Sequence, residues 1–395
     1  MASSRERFSR FLRPRIDAVG LEIGTSALKV VELRPGNPPS LAAIGSRPMP
    51  PGLVQDDAVV DVQGLAAEVK ALFDEAGIRK RHVVAAVSNR QAITRNIMVP
   101  KMTLQELEEA IKWEAERYIP FPIDEVELDF FVLDNPDDVD EGGQLEVVIA
   151  AARLDLLTQQ VDVLRAAGLE PLVIDIKPFA LLRSLKGALL GEHLTKTTLS
   201  GSTYTEANEI GVVLEIAASN TTITLVRGER VLMNRNIGVS GDDFTASVQR
   251  TFGLDFDSAE EVKIQYGTAT IPSEDEEELL NFDAKREQYS PSRVYEALRP
   301  TLIELTTEIR RSLEFFRVQT GDATINRMLV TGGGANLRGL PEAVGDTLGV
   351  RVERGDPWLS VTVDPNRFDS AYLLKAGGGF AVPLGLALRG VTALD

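Results

Sequence analysis

Two short turns combine small residues with hydroxyl side chains and a preceding carboxylate. The first is Glu22-Ile23-Gly24-Thr25-Ser26, and the second is Glu215-Ile216-Ala217-Ala218-Ser219, 193 positions later. Turns of small residues direct consecutive backbone N–H groups into one concavity, and such a nest binds phosphate oxygens. The sequence therefore predicts two phosphate-binding turns, in which the hydroxyls are additional donors.

A lysine and the two glutamates extend this prediction. Lys29 lies on the strand that returns from the first turn, within reach of a bound phosphate. Because Mg²⁺ keeps several waters and takes few protein carboxylates, we expect Glu22 and Glu215 to hold Mg²⁺ through water against a polyphosphate. The predicted phosphate-binding residues of the two turns are Gly24, Thr25, Ser26, Lys29, Ala218, Ser219, Asn220 and Thr221.

A third turn, Gly332-Gly333-Gly334, follows the apolar run Met328-Leu329-Val330. A strand that runs into glycines and then into a helix lets the backbone approach a ligand closely. Taken alone, each of the three turns also fits an ordinary tight turn. The GxGxxG and GxxxxGK[ST] patterns do not occur, which excludes the two commonest nucleotide-binding motifs.

Composition excludes several other kinds of site. The chain has 395 residues, a formal net charge of −17, no cysteine and two histidines. The charge disfavours nucleic acid as a partner, and the absence of cysteine removes disulfides, thiol nucleophiles and cysteine-ligated metals. The longest uncharged run, Ala376 to Leu388, contains Pro383 and is shorter than the roughly 20 apolar residues of a membrane span. We therefore expect a cytoplasmic protein without a span.

Strands and helices alternate along the chain, and its length favours two lobes of an α/β fold. The polar stretch 195–208 has the composition of a linker, and acidic loops are expected at 134–143 and 273–278. Helices are predicted near 64–76, 103–118, 154–167, 241–252, 258–266, 295–316 and 335–348. Strands are predicted near 19–23, 28–33, 83–87, 93–99, 127–133, 144–152, 171–176, 212–216, 222–226, 231–237 and 325–330.

The similarity of the first two turns bears on this architecture. Each follows a short apolar strand and precedes a returning strand. One interpretation is a duplicated lobe with a ligand cleft between the halves. The other is a pair of unrelated hairpins that happen to look alike.

The helix predicted at 103–118 carries candidate partner-binding residues. Its capping box is Thr103-Leu104-Gln105-Glu106, and its apolar stripe is Leu104, Leu107, Ile111, Ala115 and Tyr118. Trp113 lies off this stripe, either as an anchor for a partner or packed beneath the next strand. Tyr118 and Phe121, beside Pro120 and Pro122, either form an exposed apolar edge for a peptide or close the core.

The first 16 residues are rich in arginine. Phe8, Phe11 and Leu12 would share one helical face among these arginines. Such a segment could lie on an anionic membrane. A face this short also fits an arm that docks on the protein itself.

These motifs resemble the actin-like ATPases. Glu22 to Lys29 is similar to their first phosphate loop, Glu215 to Thr222 to the second, and Gly332-Gly333-Gly334 to the adenosine loop. Within the superfamily the chain resembles the PilM family of type IV pilus assembly proteins. The segments that carry this likeness are 117–124, 175–180, 240–245, 311–316 and 380–388. FtsA, a close relative with a terminal membrane helix, is disfavoured because the chain stops within seven residues of Leu388.

The resemblance implies a two-lobed actin-like ATPase fold with duplicated mixed-sheet subdomains and an FtsA-like inserted subdomain. It implies ATP and Mg²⁺ as ligands, Gly241 as a further phosphate-binding residue, and an adenosine site of Glu260, Lys263, Gly332, Gly333, Gly334 and Asn336. It also implies a scaffold at the inner membrane that binds the cytoplasmic N-terminal tail of PilN and links it to the pilus motor ATPase.

The chain also departs from the superfamily. Glu22 and Glu215 stand where aspartate is usual, and Ala217 stands where glycine is usual. One extra methylene moves a carboxylate by about 1.5 Å, which harms the positioning of water more than the binding of nucleotide. We therefore expect slow ATPase activity at most. The alternatives are a small-molecule kinase, for which Asp175 is the candidate catalytic base, and a filament-forming ATPase.

The resemblance further predicts five regions. They are a basic arm at 1–16, a first-lobe core at 17–83, 171–205 and 375–395, an insert at 84–170, a second-lobe core at 206–240 and 321–374, and an adenine-capping helical region at 241–320.

Overall fold

The computed structural model describes residues 17–55, 57–88, 90–134, 140, 142–190, 195–197, 203–205, 210–228, 230–273, 289–320 and 324–391. The helices are α1 Val62–Glu75, α2 Leu104–Ala115, α3 Leu154–Ala166, α4 Lys177–Leu190, α5 Gly241–Phe252, α6 Phe256–Tyr266, α7 Pro291–Thr320, α8 Leu340–Leu348 and α9 Ser370–Val391. The first ten strands are β1 Val19–Ile23, β2 Ala27–Arg34, β3 Ser40–Pro48, β4 Val54–Gln55, β5 Ala58–Val59, β6 His82–Val87, β7 Ala92–Pro100, β8 Val126–Val132, β9 Gln144–Arg153 and β10 Glu170–Ile176. The remaining strands are β11 Thr195–Thr197, β12 Thr203–Thr205, β13 Ile210–Ile216, β14 Thr221–Arg227, β15 Arg230–Ile237, β16 Ile325–Thr331 and β17 Val352–Arg354.

The described residues divide into two compact units, with the main boundary after Ser184. The first unit is built on a five-stranded sheet in the order β10-β6-β1-β2-β3. The β1–β2 and β2–β3 pairs are antiparallel, whereas β1–β6 and β6–β10 are parallel. Leu65, Val69, Leu72 and Phe73 of α1 pack against this sheet, because their spacing of three and four residues puts them on one helix face.

The second unit repeats this plan. Its sheet has the order β15-β14-β13-β16-β17, and its antiparallel and parallel pairs occur in the same places. The hairpin β13–β14 takes the place of β1–β2. The predicted duplication is therefore confirmed, and the interpretation as unrelated hairpins is wrong.

The insert in the first unit forms a small layer of its own. Its sheet has the order β7-β9-β8, and α2 packs on one face of it through Leu107, Ile111 and Ala115. The predicted capping box is present, with Thr103 and Glu106 bonding reciprocally. The ends of the predicted stripe were wrong, since α2 ends at Ala115 and leaves Leu104 and Tyr118 exposed.

Two helices were not predicted. Helix α4 follows β10 directly, and α9 contains the apolar run that ends the chain's described part. Helix α9 is long and apolar enough to cross a membrane, but 61% of that window is buried inside the protein, as in a core helix. A Cβ at Gly385 would overlap the backbone of Ala180 in α4, so this glycine permits close packing of the two helices.

Other differences concern proline and loops. Pro300 lies inside helix α7, within the segment 295–316 that was predicted as one helix. Within the predicted linker, β11 and β12 form an antiparallel pair, and the rest of that stretch lies outside the described residues. The tips of both acidic loops lie outside them as well, although β8 and β9 pair as the predicted hairpin.

Candidate functional site

The first predicted phosphate turn closes the β1–β2 hairpin. The Gly24 N–H donates to the Ala27 carbonyl at 3.1 Å, so this donor is used by the turn. A Cβ at Gly24 would lie 2.8 Å from the same carbonyl oxygen. The turn therefore requires glycine here for its own geometry, and phosphate oxygens would have to bind at Thr25 and Ser26.

Glu22 lies at the end of β1 and is 7% exposed. Lys29 is its cross-strand partner in β2, and Lys177 Nζ donates to Glu22 Oε1 at 2.9 Å. Burial alone would raise the pKa of Glu22, but the charges of Lys177 and Lys29 hold that pKa below its ordinary value. Lys177, the first residue of α4, is a site residue that the sequence analysis missed.

A pocket of about 40 Å³ adjoins this turn within the first unit. Thr25 and Lys177 line it together with polar groups from the insert, including Ser88, Gln91 and Gln160. Asp57, another lining residue, adopts φ of 64°, a left-handed conformation that asparagine and aspartate tolerate better than most residues. The pocket combines the Lys177 ammonium group with hydrogen-bonding side chains and apolar walls.

The second predicted turn has the same hydrogen bond. The Ala217 N–H donates to the Asn220 carbonyl at 2.9 Å. The first two N–H groups of α5 are bound to this turn, since Gly241 donates to the Ala217 carbonyl and Asp242 to the Ala218 carbonyl. The structure thus brings Gly241 and the second turn together.

The strand residues of this hairpin differ in polarity from those of the first. Thr222 stands opposite Glu215, where the first hairpin has Lys29 opposite Glu22. Glu215 is 5% exposed and Thr221 is fully buried. The Thr221 hydroxyl has no hydrogen-bond partner among the described residues, and a hydroxyl buried this deeply does not reach an outside ligand directly.

The adenosine residues predicted on α6 belong to a polar network with α5. Lys263 Nζ lies 2.6 Å from Glu260 Oε2 and donates to the Thr245 hydroxyl at 2.7 Å and the Gly241 carbonyl at 3.2 Å. Burial raises the pKa of Asp242 to about 6; the Lys263 charge opposes this rise, and the charges of Glu260 and Asp243 add to it. Asp242 was missed as a site residue, although it lies within a segment that carried the family resemblance.

The glycine turn after β16 packs on the end of β13. Gly332 has φ of 86°, and a Cβ on it would overlap the Ile216 backbone. Gly334 meets the Ile216 side chain in the same way. A Cβ at the exposed Gly333 would contact none of the described residues, and Asn336 is exposed beside it. The second unit therefore gathers its hairpin turn, the start of α5 and the glycine turn around the end of β13.

The predicted magnesium ligands fit only in part. Glu22 is occupied by Lys177, an ammonium group that competes with any cation for this carboxylate. Across the described ranges, no group of three or more acidic or histidine side chains could hold a metal ion. A Mg²⁺ ion here would depend on nucleotide phosphates and water for most of its coordination.

Asp175, the candidate catalytic base, is 3% exposed. Arg389 Nη1 lies 2.9 Å from Asp175 Oδ1, and Arg183 Nη2 lies 3.2 Å from Asp175 Oδ2. Both oxygens of this buried carboxylate are therefore engaged by guanidinium groups.

The predicted partner-binding residues are exposed on the insert. The exposed fractions are 75% for Trp113, 44% for Tyr118 and 37% for Phe121. The interpretation that Trp113 packs beneath the next strand is therefore wrong. Phe131, at 61%, adds an apolar side chain that the sequence analysis missed, because β8 alternates regularly and its partner strands do not reveal which face is covered.

Comparison with known proteins gives two family matches. The model described as "Type IV pilus assembly protein PilM" matches residues 20–286. The model of cell division protein FtsA matches residues 212–372. Among curated relatives, the FtsA proteins of Agrobacterium fabrum and Rhizobium meliloti are 27% and 26% identical over 155 residues. Each match covers 38% of this chain and 35% of the FtsA protein, so the chain spans about a third of the length of these relatives.

Solved structures extend the likeness over nearly the whole chain. The structure of a PilM-PilN type IV pilus biogenesis complex is 47% identical, covers 96% of this chain and 100% of the other, and gives a TM-score of 0.81. The ethanolamine utilization protein EutJ from Carboxydothermus hydrogenoformans is 15% identical, covers 94% and 89% of the two chains, and gives a TM-score of 0.50. The second likeness concerns the fold alone.

Proposed function

The chain belongs to the PilM family of type IV pilus assembly proteins, and from this premise we propose that it is an ATP-binding scaffold that joins PilN to the pilus motor. Its fold is the actin-like fold with duplicated mixed-sheet lobes and an FtsA-like insert. The scaffold binds the cytoplasmic N-terminal tail of PilN and works at the cytoplasmic face of the inner membrane, where PilN holds it.

The observation that carries ATP binding is the convergence around the end of β13. The turn 217–220, the start of α5 and the glycine turn meet there, and Gly333 leaves open space beside them. In this proposal the second hairpin turn binds phosphate oxygens, Glu260 and Lys263 contact the ribose edge, and Gly333 and Asn336 lie against adenosine. Mg²⁺ supplies charge neutralisation of the phosphates, with Glu215 as its carboxylate through water.

Thermal unfolding of nucleotide-stripped protein tests this proposal. MgATP at about 100 times its dissociation constant should stabilise the fold by roughly 2.7 kcal/mol. Gly333→Val should remove this shift without lowering the melting temperature of the apoprotein, because its side chain enters open space. The matched control is Gly238→Val, because φ there lies outside the left-handed region and the added Cβ would enter open space. Gly253→Val would not serve as a control, because φ is 68° there. An unchanged melting temperature in saturating MgATP would reject ATP binding.

The proposal also includes slow ATP hydrolysis. Glu22 is paired with Lys177, so its carboxylate is less able to orient an attacking water. The kinase alternative has lost support, because its candidate base Asp175 is engaged by Arg183 and Arg389. The nucleotide would then act as a structural or switching ligand.

Binding of the PilN tail is proposed for the insert. The exposed aromatic side chains of Trp113, Tyr118 and Phe121 offer apolar anchors, and prolines beside them restrict the backbone before binding. Arg153 lies 5.9 Å from the centre of the Phe121 ring. A disordered tail that orders on these anchors would pay its conformational entropy on binding.

A titration with synthetic PilN tail peptide tests this assignment. Phe121→Ala and Trp113→Ala should weaken binding about tenfold or more if these side chains are anchors. Gln91→Ala, a variant in the pocket beside Thr25, serves as a comparison that locates the site. If only Gln91→Ala lost binding, the tail would bind at the pocket and not at the aromatic side chains. If the wild type bound no peptide, PilN would be rejected as the partner.

A further inference from the structure

The segment that follows α6 packs backbone to backbone on the segment that follows the glycine turn. The Ala269 N–H donates to the Arg338 carbonyl at 2.7 Å, and Thr268 pairs with Arg338 in an isolated parallel β-bridge. The side chain of the same arginine also takes part, since Arg338 Nε donates to the Gly267 carbonyl at 3.0 Å. Residues 267–270 and 337–339 are therefore joined by hydrogen bonds from both segments, and we refer to this contact as the strap.

Two glycines keep the two segments of the strap close together. A Cβ at Gly267 would lie 2.3 Å from the Lys263 carbonyl oxygen and 3.0 Å from Leu337 Cδ1. Gly339 has φ of 68°, and a Cβ on it would lie 2.5 Å from the Thr270 hydroxyl oxygen. A side chain at either position would press on α6 or on the opposite segment, so both glycines are needed for this close approach.

The strap is one of two polar attachments of α6, and the two lead to different parts of the candidate site. Within α6, Lys263 donates to the Gly241 carbonyl and to the Thr245 hydroxyl of α5. At the end of α6, Arg338 ties Gly267 to the segment that continues from the glycine turn. The first attachment therefore holds α6 against the start of α5, and the second holds it against the glycine turn.

The Arg338 side chain suits the strap by its charge and by its several donors. Carbonyl groups at the C-terminal end of a helix carry partial negative charge, and a cation near them is stabilising. Arg338 Nη2 is buried and has no hydrogen-bond partner among the described residues. A buried donor without a partner costs free energy, and an acceptor atom supplied by a ligand would remove that cost.

We propose that Arg338 is a positioning residue for the nucleoside half of the ATP site, because its strap holds α6 at a fixed distance from the glycine turn. The inference rests on the proposed function, since it takes ATP as the ligand. Glu260 and Lys263 on α6 and Asn336 in the glycine turn are the proposed nucleoside contacts, and groups that are held in place before binding lose less conformational entropy. The phosphates bind at the turn 217–220 and the start of α5, so their binding does not depend on the strap.

Calorimetric titration of the nucleotide-stripped full chain with MgATP and with magnesium tripolyphosphate tests the inference, because only ATP carries the nucleoside. Arg338→Ala should bind MgATP about tenfold more weakly than the wild type, as expected when a hydrogen bond from a charged group is lost. The same variant should bind tripolyphosphate as the wild type does. Arg338→Lys keeps the charge and a donor without the planar fork, so it should recover part of the affinity for MgATP.

The matched control is Arg310→Ala, and circular dichroism should confirm that every variant is folded. Arg310 Nη2 donates to the Thr347 carbonyl near the end of α8 at 2.8 Å, so this variant also removes an arginine from the C-terminal end of a helix in the second unit. It should bind MgATP like the wild type.

Three results would overturn the inference alone. They are full affinity of Arg338→Ala for MgATP, an equal loss of its affinity for tripolyphosphate, and a loss in Arg310→Ala as large as that in Arg338→Ala. If the wild type bound no MgATP, the proposed function itself would be rejected, and the inference with it.

Discussion

The hairpins β1–β2 and β13–β14 share a backbone and differ in charge. In both, the residue two positions after the glutamate donates its N–H across a turn of equal length, at 3.1 Å in the first and 2.9 Å in the second. Glu22 faces Lys29 and is bound by Lys177, whereas Glu215 faces Thr222. The duplicated backbone has therefore been kept while its polar partners have diverged.

The neighbourhoods of the two turns differ as well. The second turn accepts hydrogen bonds from the first residues of α5 and has the glycine turn beside it. The first turn adjoins a polar pocket that the insert helps to form. In the second unit three elements surround the hairpin turn, whereas the first turn is organised around the charge of Lys177.

The largest expected effect comes from Lys177→Met. It leaves Glu22 as a buried carboxylate without its partner, and breaking a buried pair in this way should lower the free energy of unfolding by about 3 kcal/mol. Urea denaturation of the variant and the wild type measures the loss. The double variant Glu22→Gln/Lys177→Met should recover most of it, and a double variant as unstable as the single one would contradict the charge argument.

The stability contributed by the Glu22–Lys177 ion pair should depend on pH. The pKa of Glu22 in the folded protein lies below the ordinary value of 4.5, so its contribution to stability is present above pH 4.5 and disappears as the pH falls through the folded value. Glu22→Gln should accordingly flatten the loss of stability below pH 4.5. Denaturation midpoints from pH 3 to 6 report this difference, and parallel curves would mean that the pair contributes nothing.

Gly24→Val should destabilise the first turn by about 2 kcal/mol, because its Cβ would be 2.8 Å from the Ala27 carbonyl oxygen. Ala217→Gly, at the corresponding position of the second turn, should cost less than about 1 kcal/mol. Thermal unfolding with and without MgATP compares the two. Gly24→Val tests the geometry of the turn more than phosphate binding, because its side chain strains the hairpin whether or not a ligand is bound. Equal losses in the two variants would refute the difference between the turns.

Glu215→Asp should raise the rate of ATP hydrolysis about tenfold, equivalent to about 1.4 kcal/mol, because it restores the shorter carboxylate. Glu22→Asp should raise it less, since the shorter side chain still has Lys177 beside it. Phosphate release by the purified proteins measures both rates. The wild type should stay far below about 10 per second, and several turnovers per second would favour an enzyme.

The smallest effect is expected for Asp242→Asn. Its folded pKa of about 6 exceeds the ordinary 3.8, so the unfolded chain loses its proton first and stability falls as the pH rises from 3.8 to 6. With allowance for solvent screening, the asparagine variant should be more stable than the wild type by about 1 kcal/mol at pH 7.

Asp243→Asn is the matched control for this effect. Asp243 accepts hydrogen bonds from the Ser240 N–H and hydroxyl, so its replacement should destabilise the cap of α5. Denaturation measured as a function of pH should therefore show a gain in stability for Asp242→Asn and a loss in stability for Asp243→Asn. A loss of stability in both variants would show that Asp242 is favourably placed as an anion.

Local sequence determined much of this protein. Alternating and helical periodicities located the hairpins, α1, α5 and α6, and the Thr103–Glu106 capping box placed the start of α2, because all these signals lie within a few residues of the structure they specify. The sequence similarity of the two turns also indicated the duplicated architecture. Glycine at position 332 was visible as part of a turn, although its positive φ was not.

Tertiary structure decided which side chains meet and which remain exposed. Lys177 reaches Glu22 across 155 positions of sequence, and Arg389 reaches Asp175 from the last helix. These encounters lower the pKa of Glu22 and engage both carboxylate oxygens of Asp175. Exposure of Trp113 depends on which faces of α2 the insert sheet covers. Periodicity reports one element at a time, whereas ion pairs and exposed surfaces depend on the packing of distant elements against each other.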